Sequence, residues 1–122
     1  MTMIFVLDDS PTMVMSLSRI LSKSGYTVET ASNGKEGLDK LKAGLKPNLI
    51  LTDINMPVMD GIAFIKEARR HPATRFTPII VLTTESAGAK QTEARSAGAS
   101  GWLTKPTQPD DLIATMKQLL PS

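Results

Sequence analysis

Cysteine is absent from the 122-residue chain, which excludes a disulfide framework and any metal site built on thiolates. No apolar run approaches the roughly 20 residues that a membrane-spanning helix needs, so we expect no membrane association. The first residues, MTMIFVLDD, have neither a basic region nor a small-residue cleavage site, which argues against a signal peptide. Together these absences predict a cytoplasmic protein.

A strong excess of charge is also missing. The formal net charge is +2 and is spread along the chain, which argues against nucleic-acid binding through a basic patch. Hydrophobic residues make up 41% and charged residues 21%, ordinary values for a globular domain. The length predicts one domain over residues 1–122, with no room for a second, output domain.

Short apolar segments alternate with helical patterns along the whole chain. Ser10 is a candidate cap for the first helix, Gly25 its stop signal, and Asp60 a candidate cap for the third. Buried strands are predicted at 3–7, 48–51 and 79–82, with weaker strands near 26–31 and 101–104. Five strand–helix pairs in alternation predict an α/β fold with a parallel sheet covered by helices on both faces.

The fourth helical pattern, about residues 87–97, differs from the others. Its inner face is predicted to consist of Ala89, Ala94 and Ala97, and Gly88 weakens its start. Such a helix buries less apolar area than the first or fifth helix. We therefore expect it to open locally at a lower free energy.

Charged and hydroxyl residues follow the predicted strands where each strand ends. Asp8 and Asp9 follow the first strand, Asp53 the third, Thr83 ends the fourth and Lys105 follows the fifth. In an open parallel sheet these positions lie on one rim. Three clustered carboxylates repel one another, and a hard divalent cation such as Mg²⁺ removes the conflict. The Asp8–Asp9 pair taken alone is also explained as negative charge at a helix N-terminus.

Four motifs in this order cover the chain: VLDDSP, LILTDINMPVMDG, IIVLTTES and GASGWLTKP. Together they resemble the receiver domain of two-component response regulators, and within it the stand-alone chemotaxis receivers of the CheY type. The resemblance implies the flavodoxin-like fold, a five-stranded parallel sheet in the order 2-1-3-4-5 flanked by five helices.

The resemblance also implies a set of site residues. Asp53 would be the phospho-acceptor, attacking the phosphorus of a phosphohistidine on a partner kinase. Mg²⁺ would be bound by Asp9 directly, by Asp8 mainly through water, by Asp53, and by the backbone carbonyl of Asn55. Lys105 would pair with an oxygen of the phosphoryl group.

Further residues match the positions that couple phosphorylation to output in this family. Thr83 matches the switch hydroxyl, although a β-branched residue there is also explained by strand packing. Trp102 occupies the aromatic switch position, where the family usually has tyrosine or phenylalanine, and a plain core role is the alternative. Asn55 and Glu85 would tune the lifetime of the phosphate. The peptide bond before Pro106 matches a cis bond of the family.

The implied partners are a CheA-like sensor histidine kinase as phosphodonor and a downstream target such as a flagellar motor switch protein. The target would bind the surface of the fourth helix, fifth strand and fifth helix of a monomer. The chain would be a regulatory domain that catalyses its own phosphorylation and dephosphorylation. A phosphorelay intermediate or phosphate sink, an aspartyl-phosphate hydrolase and a partner-binding domain without phosphorylation are the alternatives. The single histidine, His71, is expected at a helix end far from the acidic residues.

Overall fold

A single parallel sheet forms the centre of the molecule. The structure is a computed structural model that describes residues 2–86 and 88–121. Within these residues the strands are β1 (Met3–Leu7), β2 (Thr27–Ala31), β3 (Leu49–Thr52), β4 (Ile79–Thr83) and β5 (Gly101–Thr104). They pair in parallel in the order β2-β1-β3-β4-β5. The predicted fold class and strand order are confirmed.

Helices alternate with the strands. They are α1 (Pro11–Lys23), α2 (Gly34–Lys42), α3 (Gly61–Arg70), α4 (Ala89–Ala97) and α5 (Pro109–Leu119), with a short 3-10 helix at Pro72–Thr74. The side chains of Ser10 and Asp60 accept hydrogen bonds from backbone N–H groups in the first turns of α1 and α3, as predicted. Gly25, just beyond α1, has a φ of 92°, a conformation that glycine adopts without strain. His71 caps the C-terminus of α3, in agreement with the helix-end prediction.

Two apolar clusters cover the two faces of the sheet. Alternate residues of each strand point to opposite faces, so β1 contributes Phe5 and Leu7 to one cluster and Ile4 and Val6 to the other. The first cluster packs under α2, α3 and α4, and the second under α1 and α5. This double coverage explains why β1, β3 and β4 are almost continuously apolar. Among the described residues, no helix is both long and apolar enough to cross a bilayer.

The inner face of α4 differs from the prediction. Ala94 is buried and Ala97 is partly buried against the core, but Ala89 is exposed. Ala94 follows Ala89 by five positions, which places the two about 140° apart around a helix, so they cannot share a face. Gly88, with a φ of 119°, precedes the helix and provides no side-chain cap. Ala87, where the predicted helix begins, lies outside the described residues.

Arg69, in the last turn of α3, joins the segments that precede β4 and β5, at the end of the sheet opposite the acidic residues. Its guanidinium donates hydrogen bonds to the carbonyl of Gly98 from Nε at 3.0 Å and Nη2 at 2.8 Å. Nη1 donates to the carbonyls of Thr74 at 2.9 Å and Thr77 at 2.6 Å. Burial lowers the pKa of Arg69 below its usual value because it removes water from the cation. This side chain ties the C-terminal end of α4 to α3 and to the start of β4.

Candidate functional site

The carboxyl ends of β1 and β3 bring three carboxylates together. One oxygen from each of Asp8, Asp9 and Asp53 lies within 4.8 Å of the others. The backbone N–H of Asp53 donates to the carbonyl of Leu7 at 2.9 Å, which sets the third strand beside the first at this point. The placement of the three acids on one rim, predicted from the strand ends, is confirmed.

Each of the two less exposed carboxylates is held by a backbone donor. The N–H of Ser10 donates to Asp8 Oδ1 at 2.9 Å, and the N–H of Ile54 donates to Asp53 Oδ1 at 2.7 Å. The other oxygen of each carboxylate, Oδ2, faces Lys105. Both side chains are thereby fixed in orientation before any ligand arrives.

Lys105 supplies the positive charge of this cluster. Its Nζ lies 2.7 Å from Asp8 Oδ2 and 3.3 Å from Asp53 Oδ2, and its side chain is only 10% exposed. Burial acts to lower the pKa of Lys105, but the hydrogen bond to Asp8 and the negative charges of Asp53 and Asp8 outweigh it, and the pKa is raised. The peptide bond between Lys105 and Pro106 is cis, as the resemblance implied. We call Asp8, Asp9, Asp53 and Lys105 the acidic site.

The donors of the acidic site fit Mg²⁺. Three carboxylates offer the hard oxygen ligands that this ion prefers, and an ion with several bound waters needs an open side. Asp9 is exposed, and a cleft of about 240 Å³ between α1 and α2 borders Asp8 and Asp9. Water can therefore complete the coordination shell. The carbonyl of Asn55 as a further ligand stays a prediction.

The loops after β3 and β4 are joined above the acidic site. Asn55 Nδ2 donates to Glu85 Oε1 at 2.8 Å. The N–H of Glu85 donates to Thr83 Oγ1 at 3.3 Å, and Thr83 itself is fully buried. The residues predicted to tune phosphate lifetime and to act as switch hydroxyl thus form one connected set, a link that sequence spacing alone does not reveal.

Gly61, at the start of α3, allows the loop after Asp53 to pass close to the helix. A Cβ at this position would lie 2.0 Å from the backbone oxygen of Asp53, and the N–H of Gly61 donates to the carbonyl of Ile54 at 2.9 Å. Val58, at the tip of the same loop, has a φ of 69° and is exposed. Glycine at position 61 is therefore needed for this close approach.

Trp102, predicted as the aromatic switch residue, lies on the edge strand β5. The ring is half-buried, and one side packs against the core cluster that includes Ala94. Its Nε1 donates to Thr104 Oγ1 at 3.3 Å. Thr104 was not among the residues predicted to matter, because an exposed threonine in a strand carries no distinctive signal.

Comparison with known proteins places the chain in a family. The sequence profile of the response regulator receiver domain matches residues 4–117. The chain is 35% identical over 118 residues to the chemotaxis protein CheY1 of Helicobacter pylori, covering 96% of this chain and 95% of that protein. It also matches longer response regulators, covering 49% of one of them.

Solved structures of related proteins have the same fold over nearly the whole chain. Chemotaxis protein CheY4 of Vibrio cholerae has a TM-score of 0.93 at 40% identity, with 98% of this chain and 99% of that chain covered. The receiver domain of sensor histidine kinase PA1611 from Pseudomonas aeruginosa, solved with a magnesium ion coordinated in its active site cleft, has a TM-score of 0.91 at 25% identity. In that comparison 99% of this chain and 98% of the other are covered.

Receiver domains are regulatory domains that bind Mg²⁺ in an acidic pocket, take phosphoryl groups from histidine kinases and act on downstream targets. The strand order, the acidic rim and the profile match all lead to one assignment. The chain belongs to the receiver domain family of two-component response regulators.

Proposed function

We propose that the chain is a phosphorylation-activated switch in which Asp53 accepts a phosphoryl group from a histidine kinase. The observation that carries the proposal is the convergence of three carboxylates and one lysine on the rim, with Lys105 in contact with Asp8 and Asp53. This set supplies a nucleophile, ligands for a divalent cation and a fixed cation. Phosphoryl transfer depends mainly on such positioning and charge stabilisation.

In the transfer, a carboxylate oxygen of Asp53 forms a bond to phosphorus while the phosphorus–nitrogen bond of the phosphohistidine breaks. The imidazole of the donor leaves with the electron pair of that bond. Asp9 and Asp53 would hold Mg²⁺ directly and Asp8 mainly through water, and the ion when bound would neutralise charge on the phosphoryl oxygens. Lys105 remains anchored on Asp8 and turns its remaining donors from Asp53 to a phosphoryl oxygen.

Hydrolysis of the aspartyl phosphate ends the signal, so its rate has to be regulated. Asn55 lies two residues after Asp53, and its side chain is hydrogen-bonded to Glu85. We propose that this pair governs how readily water reaches the phosphoryl group on Asp53, so that the domain catalyses its own dephosphorylation at a rate set by these two side chains.

The output is proposed to pass through Thr83 and Trp102. A phosphoryl group offers the Thr83 hydroxyl a charge-assisted hydrogen bond, worth about 1.5–3 kcal/mol. A preference of that size shifts a two-state equilibrium about 10- to 150-fold, which is sufficient where the active state already exists as a minor population. The surface of α4, β5 and α5 changes as the ring of Trp102 turns inward.

Chemotaxis is the proposed setting. Its support is the similarity over nearly the full length to the chemotaxis proteins CheY1 and CheY4. We propose a stand-alone, monomeric receiver that takes its phosphate from a CheA-like kinase and binds a flagellar motor switch protein. Because such a kinase makes its phosphohistidine from ATP, the exchange takes place in the cytoplasm. A phosphorelay intermediate or phosphate sink would use the same acidic site and differs only in the acceptor.

A small-molecule phosphodonor tests the proposal. The protein is incubated with acetyl phosphate, with Mg²⁺ or with EDTA, and examined by intact mass spectrometry and by phosphate release. A phosphoprotein that accumulates only with Mg²⁺ and is lost in Asp53→Asn supports the receiver function. Rapid multiple-turnover phosphate release would instead identify a hydrolase, and no modification at all would identify a binding domain without phosphorylation.

The coupling step has its own test, because Trp102 is the only tryptophan. Beryllofluoride with Mg²⁺ should change the emission of Trp102 in the parent protein. Thr83→Ala should bind beryllofluoride, since the acidic site is intact, but should show much less of that emission change. An unaltered response in Thr83→Ala would reduce Thr83 to a packing residue.

A further inference from the structure

Thr104 lies between the switch hydroxyl and the aromatic ring on one face of the sheet. In the ladder between β4 and β5, Thr83 is the register partner of Thr104 and Val81 is that of Trp102. Side chains alternate along a strand, so Trp102 and Thr104 share a face, while Leu103 packs into the cluster on the other face. Thr83, Thr104 and Trp102 therefore form a row on one face, from β4 beside the acidic site to the edge strand β5.

The hydroxyl of Thr104 is the hydrogen-bond partner of the ring. The indole Nε1 of Trp102 donates to Thr104 Oγ1 at 3.3 Å. Indole has one donor and no acceptor, so this bond uses its whole capacity. The hydroxyl of Thr107 donates to the Thr104 carbonyl at 2.8 Å, which holds the following turn against the end of β5. Phenylalanine at position 102 has no donor for this contact, so the arrangement depends on tryptophan.

The space beside the ring toward α4 is too small to receive it. A cavity of about 20 Å³ lies between α4 and β5, lined in part by Gln91, Ala94 and Ala99 together with Trp102. That volume holds about one water molecule. Rotation of the ring toward α4 therefore requires α4 to move, and it takes Nε1 away from Thr104.

We propose that Thr104 is a positioning residue that holds Trp102 in the orientation of this structure, called outward here because Nε1 bonds the exposed hydroxyl of Thr104, and so sets the activity of the unphosphorylated protein. The inference rests on the proposed function, in which the inward ring marks the active state. Since the bond is 3.3 Å long and solvent-exposed, we place its effect at the small end of the range for hydrogen bonds. Its loss should change the outward-to-inward ratio about 2- to 5-fold.

The test compares Thr104→Val and Thr104→Ala, which lack the acceptor, with Thr104→Ser, which keeps it. Valine suits a strand position, and circular dichroism checks the fold of each variant. Acrylamide quenching of Trp102 is measured in the resting protein, and beryllofluoride affinity is measured with Mg²⁺ by titration. A larger competent fraction raises apparent affinity in proportion.

We expect the two variants without the hydroxyl to be less quenched at rest and to bind beryllofluoride about 2- to 5-fold more tightly. Thr104→Ser should match the parent in both measurements. If the parent responds but Thr104→Val and Thr104→Ala match Thr104→Ser, this inference is wrong while the proposed function stands. If the parent itself does not respond to beryllofluoride, the proposed function fails and the inference fails with it.

Discussion

Replacing Lys105 with methionine should destabilise the metal-free protein, and Mg²⁺ should restore much of the loss. In the folded protein Asp8 is 3% exposed and its Oδ2 lies 2.7 Å from Lys105 Nζ. Removing one partner of a buried ion pair leaves an uncompensated charge, which costs about 3–5 kcal/mol in well-shielded sites. The acidic site borders an open cleft, so we expect a smaller loss, about 2–3 kcal/mol.

Urea unfolding followed by circular dichroism at pH 7 measures this loss, first in EDTA and then with Mg²⁺. A cation that binds only the folded state at 100 times its dissociation constant stabilises it by about 2.7 kcal/mol. Methionine at position 105 removes a competing cation from the same carboxylates. Mg²⁺ should therefore stabilise Lys105→Met more than it stabilises the parent protein.

Two comparisons make the result decisive. Lys35→Met breaks an ion pair with Asp39 whose side chains are 55% and 57% exposed, and it should cost less than about 1 kcal/mol. Adding Asp8→Asn to Lys105→Met should recover stability in EDTA, because the buried charge is gone. The reasoning is refuted if Lys105→Met in EDTA loses no more than Lys35→Met, or if the double variant is no more stable than the single one.

Three further predictions concern other parts of the molecule. Asp9→Ala should lose phosphorylation from acetyl phosphate yet unfold at the same or higher urea concentration, because one of three repelling charges is removed; normal phosphorylation would show that Asp9 is not a ligand. Amide exchange should be faster in α4, which buries one alanine, than in α5, which buries a leucine and a methionine; equal protection would contradict this. Gly61→Ala should destabilise by about 1–3 kcal/mol in thermal or urea unfolding, because its Cβ would lie 2.0 Å from a backbone oxygen of Asp53. Gly101→Ala is its control, since that Cβ would meet only ordinary contacts at 3.6 and 3.7 Å, and equal losses in the two variants would contradict the steric argument.

The sequence was sufficient to predict the sheet and the rim because both depend on local signals. Apolar strands covered on two faces are nearly continuous in hydrophobicity, and the position of Asp53 after such a run places it at a strand end. Parallel strands then bring these ends to one edge of the sheet, so Asp8, Asp9 and Lys105 could be added without knowing any distance.

The parts that were missed depend on contacts between distant segments. Arg69 has the appearance of a solvated arginine favoured by the dipole at a helix C-terminus, and its carbonyl partners come from two separate segments, one before β4 and one after α4. The bond between Asn55 and Glu85 joins residues 30 positions apart. Ala89 was misplaced because alanine suits either face of a helix, and only the helical angle from Ala94 puts it on the exposed side.

The hydrogen bonds of Arg69 hold only one end of α4 in place. Its nine residues give a length of about 13 Å. The end at Gly98 is fastened to α3 by the guanidinium, whereas the end at Gly88 has no side-chain cap. A tilt of about 10° around the fastened end displaces the free end by about 2 Å. The uncapped end follows the loop that carries Glu85, so a shift of that loop would move the first turn of α4 further than its last turn.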